Sequence, residues 1–277
     1  MIAVALFLAA FARIYWPVLT GLAHQWSTDA DAAHALICVP LALAFAINRR
    51  GELRRTIPRP RVAGLLLAAG ALGLLLLGRL GAELFLTRFS LVAFLAGSVV
   101  FLFGWRHLRI LAFPFALLLL SVPIPSVLVA QVTLPLQLFA SAGAESSLQL
   151  MSIPVFRDGN ILVLPNATLQ VAEACSGIRS LVSLVALSLI IARTTEHRAW
   201  ARTLIVLSAA PVAVLVNALR VTTTAAATYW YGRGAAEGVV HELVGVIMFI
   251  VALALVMSCG RGIARLRPEP NRLEMAG

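Results

Sequence analysis

Glu173-Ala174-Cys175-Ser176-Gly177-Ile178-Arg179-Ser180 opens an apolar run that continues to Ala192. The run is near the length needed to cross about 30 Å of hydrocarbon, so it predicts a membrane helix with a cysteine at its mouth. A cysteine in the first turn of a helix meets the positive end of the helix dipole. Arg179, four residues on, shares its face. Both effects favour thiolate over thiol.

The rest of the chain extends the membrane reading. Of 277 residues, 61% are hydrophobic and 12% charged, more apolar surface than a soluble domain of this size needs. The apolar stretch from Met1 to Ala12 lacks a basic start and a small-residue cleavage site. It reads as a first span, not a cleavable signal peptide. All 22 basic residues are arginine, which excludes lysine nucleophiles and Schiff bases. The net charge of +10 does not point to nucleic acid, because it is broken into separate clusters. These are Arg49, Arg50, Arg54, Arg55, Arg59 and Arg61; then Arg106 and Arg109; then Arg193, Arg198 and Arg202; then Arg261, Arg265, Arg267 and Arg272. Connections carrying Asp29, Asp31, Glu83, Glu145, Asp158 and Glu237 lie between them. That alternation is the positive-inside pattern, with arginine clusters in the cytoplasm and acidic connections outside.

The expected fold is an all-α polytopic membrane protein of about eight transmembrane helices, with a small external β element before Cys175. The spans read as Met1–Thr20, Ala32–Ile47, Val62–Leu80, Phe89–Gly104, Ile110–Val122, Gly177–Ala192, Thr203–Ala227 and Val239–Cys259, with both termini cytoplasmic. Residues 1–260 form a single transmembrane domain, with an external segment at about 143–174, and 261–277 form a short basic cytoplasmic tail. Ser126 to Met151, broken by Pro135, reads as amphipathic, either interfacial or re-entrant. Asp158-Gly159 and Pro165-Asn166 are turn signals between β-favouring runs. No internal repeat supports a transporter architecture.

Ionisable groups within such spans are costly and point to function. Arg220 lies about 17 residues into an outward helix, roughly 25 Å from its cytoplasmic start and close to the external surface. His241 opens the last span and Cys175 opens its own, so three reactive groups on three helices are expected at one external depth. Together they supply a nucleophile, a proton carrier and a fixed guanidinium for a developing oxyanion. Each also has a bland reading: packing for Cys175, a helix-end or lipid-phosphate contact for Arg220, an interfacial hydrogen bond for His241. Glu173 complements the helix N-terminus or pairs with Arg179. His34 orients partners or lines an access route for substrate. Cys38 reads as an inert packing residue, and Cys259 sits at the opposite end of its span from Cys175. Neither HExxH nor paired-cysteine spacing is present, so no metal and no cofactor is expected.

The run from Val171 to Leu181 resembles the signature of the exosortase/archaeosortase family of multi-spanning membrane enzymes. Asn217-Ala218-Leu219-Arg220 resembles the family's Asn-x-x-Arg element, and His241-Glu242 followed by Gly245 its histidine element. Phe113-Pro114, Val122-Pro123-Ile124-Pro125 and Phe156-Arg157-Asp158-Gly159-Asn160 also resemble family segments. So does the His34 region, although Ala35 stands where the family more often has glycine. The resemblance implies a membrane cysteine protease or transpeptidase with sortase-like chemistry, Cys175 as nucleophile, and Arg220 and His241 completing the triad. It makes Glu173, Arg179, Asn217 and His34 supporting or substrate-positioning residues. It implies a bacterial inner-membrane location with the site at the external face. The implied partners are exported proteins bearing a C-terminal Pro-Glu-Pro motif, a transmembrane helix and a basic end; the acceptor nucleophile is left open. Two other classes stay open from the residues alone: a non-catalytic envelope or exopolysaccharide assembly factor, and a transporter with Arg220 and His241 lining a path. Pro268-Glu269-Pro270 follows the final span, the wrong order for a sorting signal.

Overall fold

The computed structural model describes residues 2–29, 31–171, 178–232, 234 and 238–265. The chain forms two compact units, Met1–Ser126 and Val127–Gly277.

The first unit holds α1 (Ile2–Thr28), α2 (Ala35–Asn48), α3 (Arg50–Arg55), α4 (Val62–Leu80), α5 (Leu84–Leu102), α6 (Trp105–Ile110) and α7 (Ala112–Leu120). Helices α4 and α5 are its closest pair, for a reason written in small residues. A Cβ on Gly64 would meet the Phe101 backbone, and one on Gly97 would come within 2.6 Å of Ala68 N. Small residues let two backbones approach closely where lipid supplies no hydrophobic drive. At the other end, Glu83 caps α5 by accepting from Leu86 N at 2.7 Å. Tyr15, Val18 and Leu22 of α1 pack on Ala71 and Leu75 of α4 and on Phe94 of α5. The Tyr15 hydroxyl, wholly buried, donates to the Ser90 carbonyl at 3.3 Å.

The second unit holds α8 (Ser126–Leu150), strands β1 (Phe156–Asp158), β2 (Ile161–Leu164) and β3 (Ala167–Gln170), then α9 (Ile178–Thr195), α10 (Ala199–Tyr231) and α11 (Gly238–Arg265). The strands form an antiparallel meander, β1-β2-β3. Both expected turns are present, and Gly159 takes φ +60° in the first, a conformation that favours glycine. The sheet lies along α8. Asn160 donates to Gln137 Oε1 at 3.0 Å, Ser141 donates to the Gly159 carbonyl at 2.9 Å, and Arg157 pairs with Glu145 at 2.8 Å. These α8 residues recur every four positions, so one polar stripe is consumed by the hairpin. Beside it, Ala140, Ala144 and Leu148 bury Leu162 and Leu164.

Several expected spans change. Five described helices are long and apolar enough to cross a membrane: Val62–Leu80, Leu84–Leu102, Val127–Leu150, Ala199–Tyr231 and Glu242–Ile263. Ala35–Asn48 and Ser180–Thr195 are apolar but shorter. The protein is thus mostly helical and polytopic, while an eight-span count is not what these lengths give. Ile110–Val122 is divided between α6 and α7, and the 9 residues of α7 rise only about 14 Å. Ser126–Met151, read as amphipathic, is one continuous helix of 25 residues with Pro135 inside. Gln137, Ser141 and Glu145 face the sheet, which is why the sequence pattern mimicked a water-facing stripe.

Candidate active site

Of the expected site residues, Arg220 and Asn217 stand together on α10 of the second unit, beside one small cavity. Helices α10 and α11 run antiparallel, and Gly245 leaves the space in which the Arg220 guanidinium lies. A Cβ at position 245 would stand 3.1 Å from Nη2 and 3.3 Å from Cζ. Farther along, a Cβ on Gly260 would meet Ile205 Cδ1 at 3.5 Å. The two contacts set one register, which puts His241 across from Thr224, about 6 Å along the axis from Arg220, one helical turn. His241 lies in the first turn of α11.

A cavity of about 20 Å³ adjoins the guanidinium, lined by Ser180 of α9, Asn217 and Arg220 of α10, and Gly245, Met248 and Phe249 of α11. That is space for about one water molecule. Asn217 is buried and Arg220 half-buried. Arg220 precedes the end of α10 by eleven residues, about 16 Å, deeper than a helix ending at Ala227 would put it.

The β element brings the chain down to that depth. Asn166, in the β2–β3 turn, donates to the carbonyls of Thr228 and Tyr229 at 3.1 and 3.0 Å. From Asn166 to Val171 the chain covers about 16 Å at strand pitch, and α10 covers about 12 Å from Thr228 back to Arg220. Val171 accordingly shares a buried cluster with Val221, with Ala218 packed against it. Its N–H donates to the Asn160 carbonyl at 2.8 Å. The chain therefore leaves β3 beside the turn of α10 that carries Arg220, and it re-enters α9 where Ser180 lines the same cavity.

Segment 172–177, with Glu173 and Cys175, lies outside the described residues, as do the side chains of Arg179 and His241. His34 belongs to the first unit. Its Nδ1 lies 3.1 Å from the Asp31 carbonyl and its Nε2 3.0 Å from the Leu120 carbonyl. Trp26 Nε1 donates to the neighbouring Ser121 carbonyl at 3.0 Å, so His34 and Trp26 together tie down the end of α7. Nε2 of His34 makes that tie, while Nδ1 faces the Asp31 carbonyl of its own loop. Among the described residues no three His, Cys, Asp or Glu side chains gather as a metal site requires.

Of the wall residues not singled out as site residues from sequence, Ser180 and Gly245 matter most. Ser180 reads as an ordinary polar residue early in an apolar helix. Gly245 carries a usable signal, because it follows His241 by four residues and so shares its helical face.

A polytopic helical membrane protein with a half-buried arginine and a buried asparagine lining one small cavity is the class defined by this unit. A family model described as transmembrane exosortase matches residues 26–258, most of the chain. The chain belongs to the transmembrane exosortase family. Searches among curated proteins and among solved structures return no match.

Proposed function

We propose that this protein is a membrane-embedded cysteine protease, acting as a transpeptidase on exported proteins with a C-terminal sorting signal of the Pro-Glu-Pro, transmembrane-helix, basic-end type. The observation that carries the proposal is the meeting of β3, α9, α10 and α11 around Arg220. Before Cys175 the chain at Val171 shares a buried cluster with Val221, the residue after Arg220, and after it Ser180 lines the cavity beside Arg220.

In the proposed reaction the Cys175 thiolate attacks the scissile carbonyl carbon. Arg220, held against Gly245, donates to the oxyanion that forms. The carbon–nitrogen bond breaks as His241 delivers a proton to the departing amine, leaving a thioester on Cys175. An acceptor nucleophile, or water, then attacks the thioester and gives its proton to His241, and the thiolate is regenerated. Asn217, buried one turn before Arg220, steadies that turn of α10. The arginine clusters face the cytoplasm of a bacterial inner membrane, and the site opens toward the external side.

The test is co-expression of a candidate substrate with wild type, Cys175→Ala, Cys38→Ala and Cys259→Ala. Cys175→Ala abolishes processing at normal protein levels, and the other two retain it. Normal processing by Cys175→Ala removes the cysteine-protease reading.

A further inference from the structure

The first unit contains a much larger cavity, about 360 Å³, that uses none of the residues assigned to catalysis. Its walls include Leu53 and Arg54 of α3, Val99 and Phe103 at the end of α5, His107 of α6, and Leu111. The volume falls in the range of small-molecule sites. Its composition is unusual for a water-filled cleft. Counting Thr56 and Pro58, which complete the lining, five of the eight residues are apolar, and the polar ones are a guanidinium, an imidazole and one hydroxyl.

His107 is only 5% exposed, and its Nδ1 is buried with no hydrogen-bond partner in the protein. The Phe103 ring covers it, with centroids 5.3 Å apart. A buried polar nitrogen left unsatisfied destabilises the fold unless a partner arrives from outside. The cavity is also built rigidly. Arg59 N donates to the Phe103 carbonyl at 3.0 Å, and Gly104, at φ +91°, lets the Arg59 carbonyl approach where a Cβ would stand.

The location indicates what the partner is. The cavity sits at the end of a 19-residue apolar helix, next to exposed Trp105 and within the largest arginine cluster of the chain. Aromatic residues followed by arginines mark the headgroup level of a bilayer. A basic peptide is repelled there, and a free anion makes no use of the apolar walls. We infer that this cavity binds one anionic phospholipid of the arginine-rich leaflet. An acyl chain lies over Leu53, Val99, Phe103 and Leu111, Arg54 pairs with the phosphate, and the His107 ring donates to a phosphate or ester oxygen.

The experiment is native mass spectrometry of the full-length protein in detergent, titrated with phosphatidylglycerol or with phosphatidylcholine. One phosphatidylglycerol is expected to stay bound under activation that strips phosphatidylcholine. Arg54→Gln and His107→Phe each weaken retention about tenfold, as expected for losing one charge-assisted or buried hydrogen bond. Arg55→Gln, one residue away and outside the walls, leaves it unchanged. Millimolar inorganic phosphate displaces nothing. Equal retention of the two lipids, unchanged retention in Arg54→Gln, or displacement by phosphate overturns the inference. Arg54 is exposed, so its variant reads out even where His107→Phe fails to fold.

Discussion

Gly245→Ala separates the position of Arg220 from its presence. The new methyl carbon would stand 3.1 Å from Nη2 and 3.3 Å from Cζ of Arg220. Comfortable heavy-atom contact begins at about 3.5 Å, so the guanidinium must retreat by roughly half an ångström. Misplacing a reacting group by about 1 Å costs on the order of 10²-fold, so half that distance is worth roughly tenfold in rate. Alanine is favoured over glycine inside a helix by about 0.5–1 kcal/mol, which offsets part of the strain of that retreat. The expected variant is thus folded and about tenfold slower. The assay is time-resolved processing of a co-expressed substrate, with thermal unfolding of the purified protein alongside. Gly262→Ala is the control, since it lies in the same helix with nothing within 4 Å of its added Cβ. Wild-type processing by Gly245→Ala at wild-type protein levels would falsify the assignment of the guanidinium as a positioned oxyanion donor.

Arg220→Lys keeps the charge but loses the planar fork, so processing should fall about 10²–10³-fold, as for Arg220→Ala; near-normal processing by the lysine variant makes Arg220 a lipid anchor instead. Reporter fusions after Arg55 and Arg198 should read cytoplasmic and those near Asp158 and Gly234 external, and an external signal at Arg198 puts Cys175 on the wrong side. Ser141→Ala removes the bond to the Gly159 carbonyl and should lower stability by about 1 kcal/mol, measured by thermal unfolding. Unchanged unfolding there means that this bond does not help to hold the hairpin.

The sequence announced the membrane class and both β turns, because hydropathy and turn chemistry are local properties. Asp158-Gly159 needs only a glycine free to take positive φ. The failures are non-local. Gln137, Ser141 and Glu145 look like a stripe for water, and only the folded hairpin reveals that they face protein. Ile110–Val122 looks continuous in hydropathy, whereas the chain breaks it at Leu111 between two short helices. At the site, Arg220 and Asn217 stood out as polar residues in an apolar run. Gly245 and Ser180 did not, since their value lies in the space left for a guanidinium and in which helix supplies the wall. His34 stood out for the same reason as Arg220, yet its ring is occupied in holding the end of α7.

The polar ladder of α8 makes the spacing of that helix an inherited dimension. Its rungs at Gln137, Ser141 and Glu145 mate with Asn160, Gly159 and Arg157. Inserting one residue after Ser141 swings Glu145 by about 100°, off the hairpin altogether. Inserting four swings it by only about 40° net and restores much of the match, though one turn displaced. Length variation among related chains should therefore avoid this stretch, or come in whole turns.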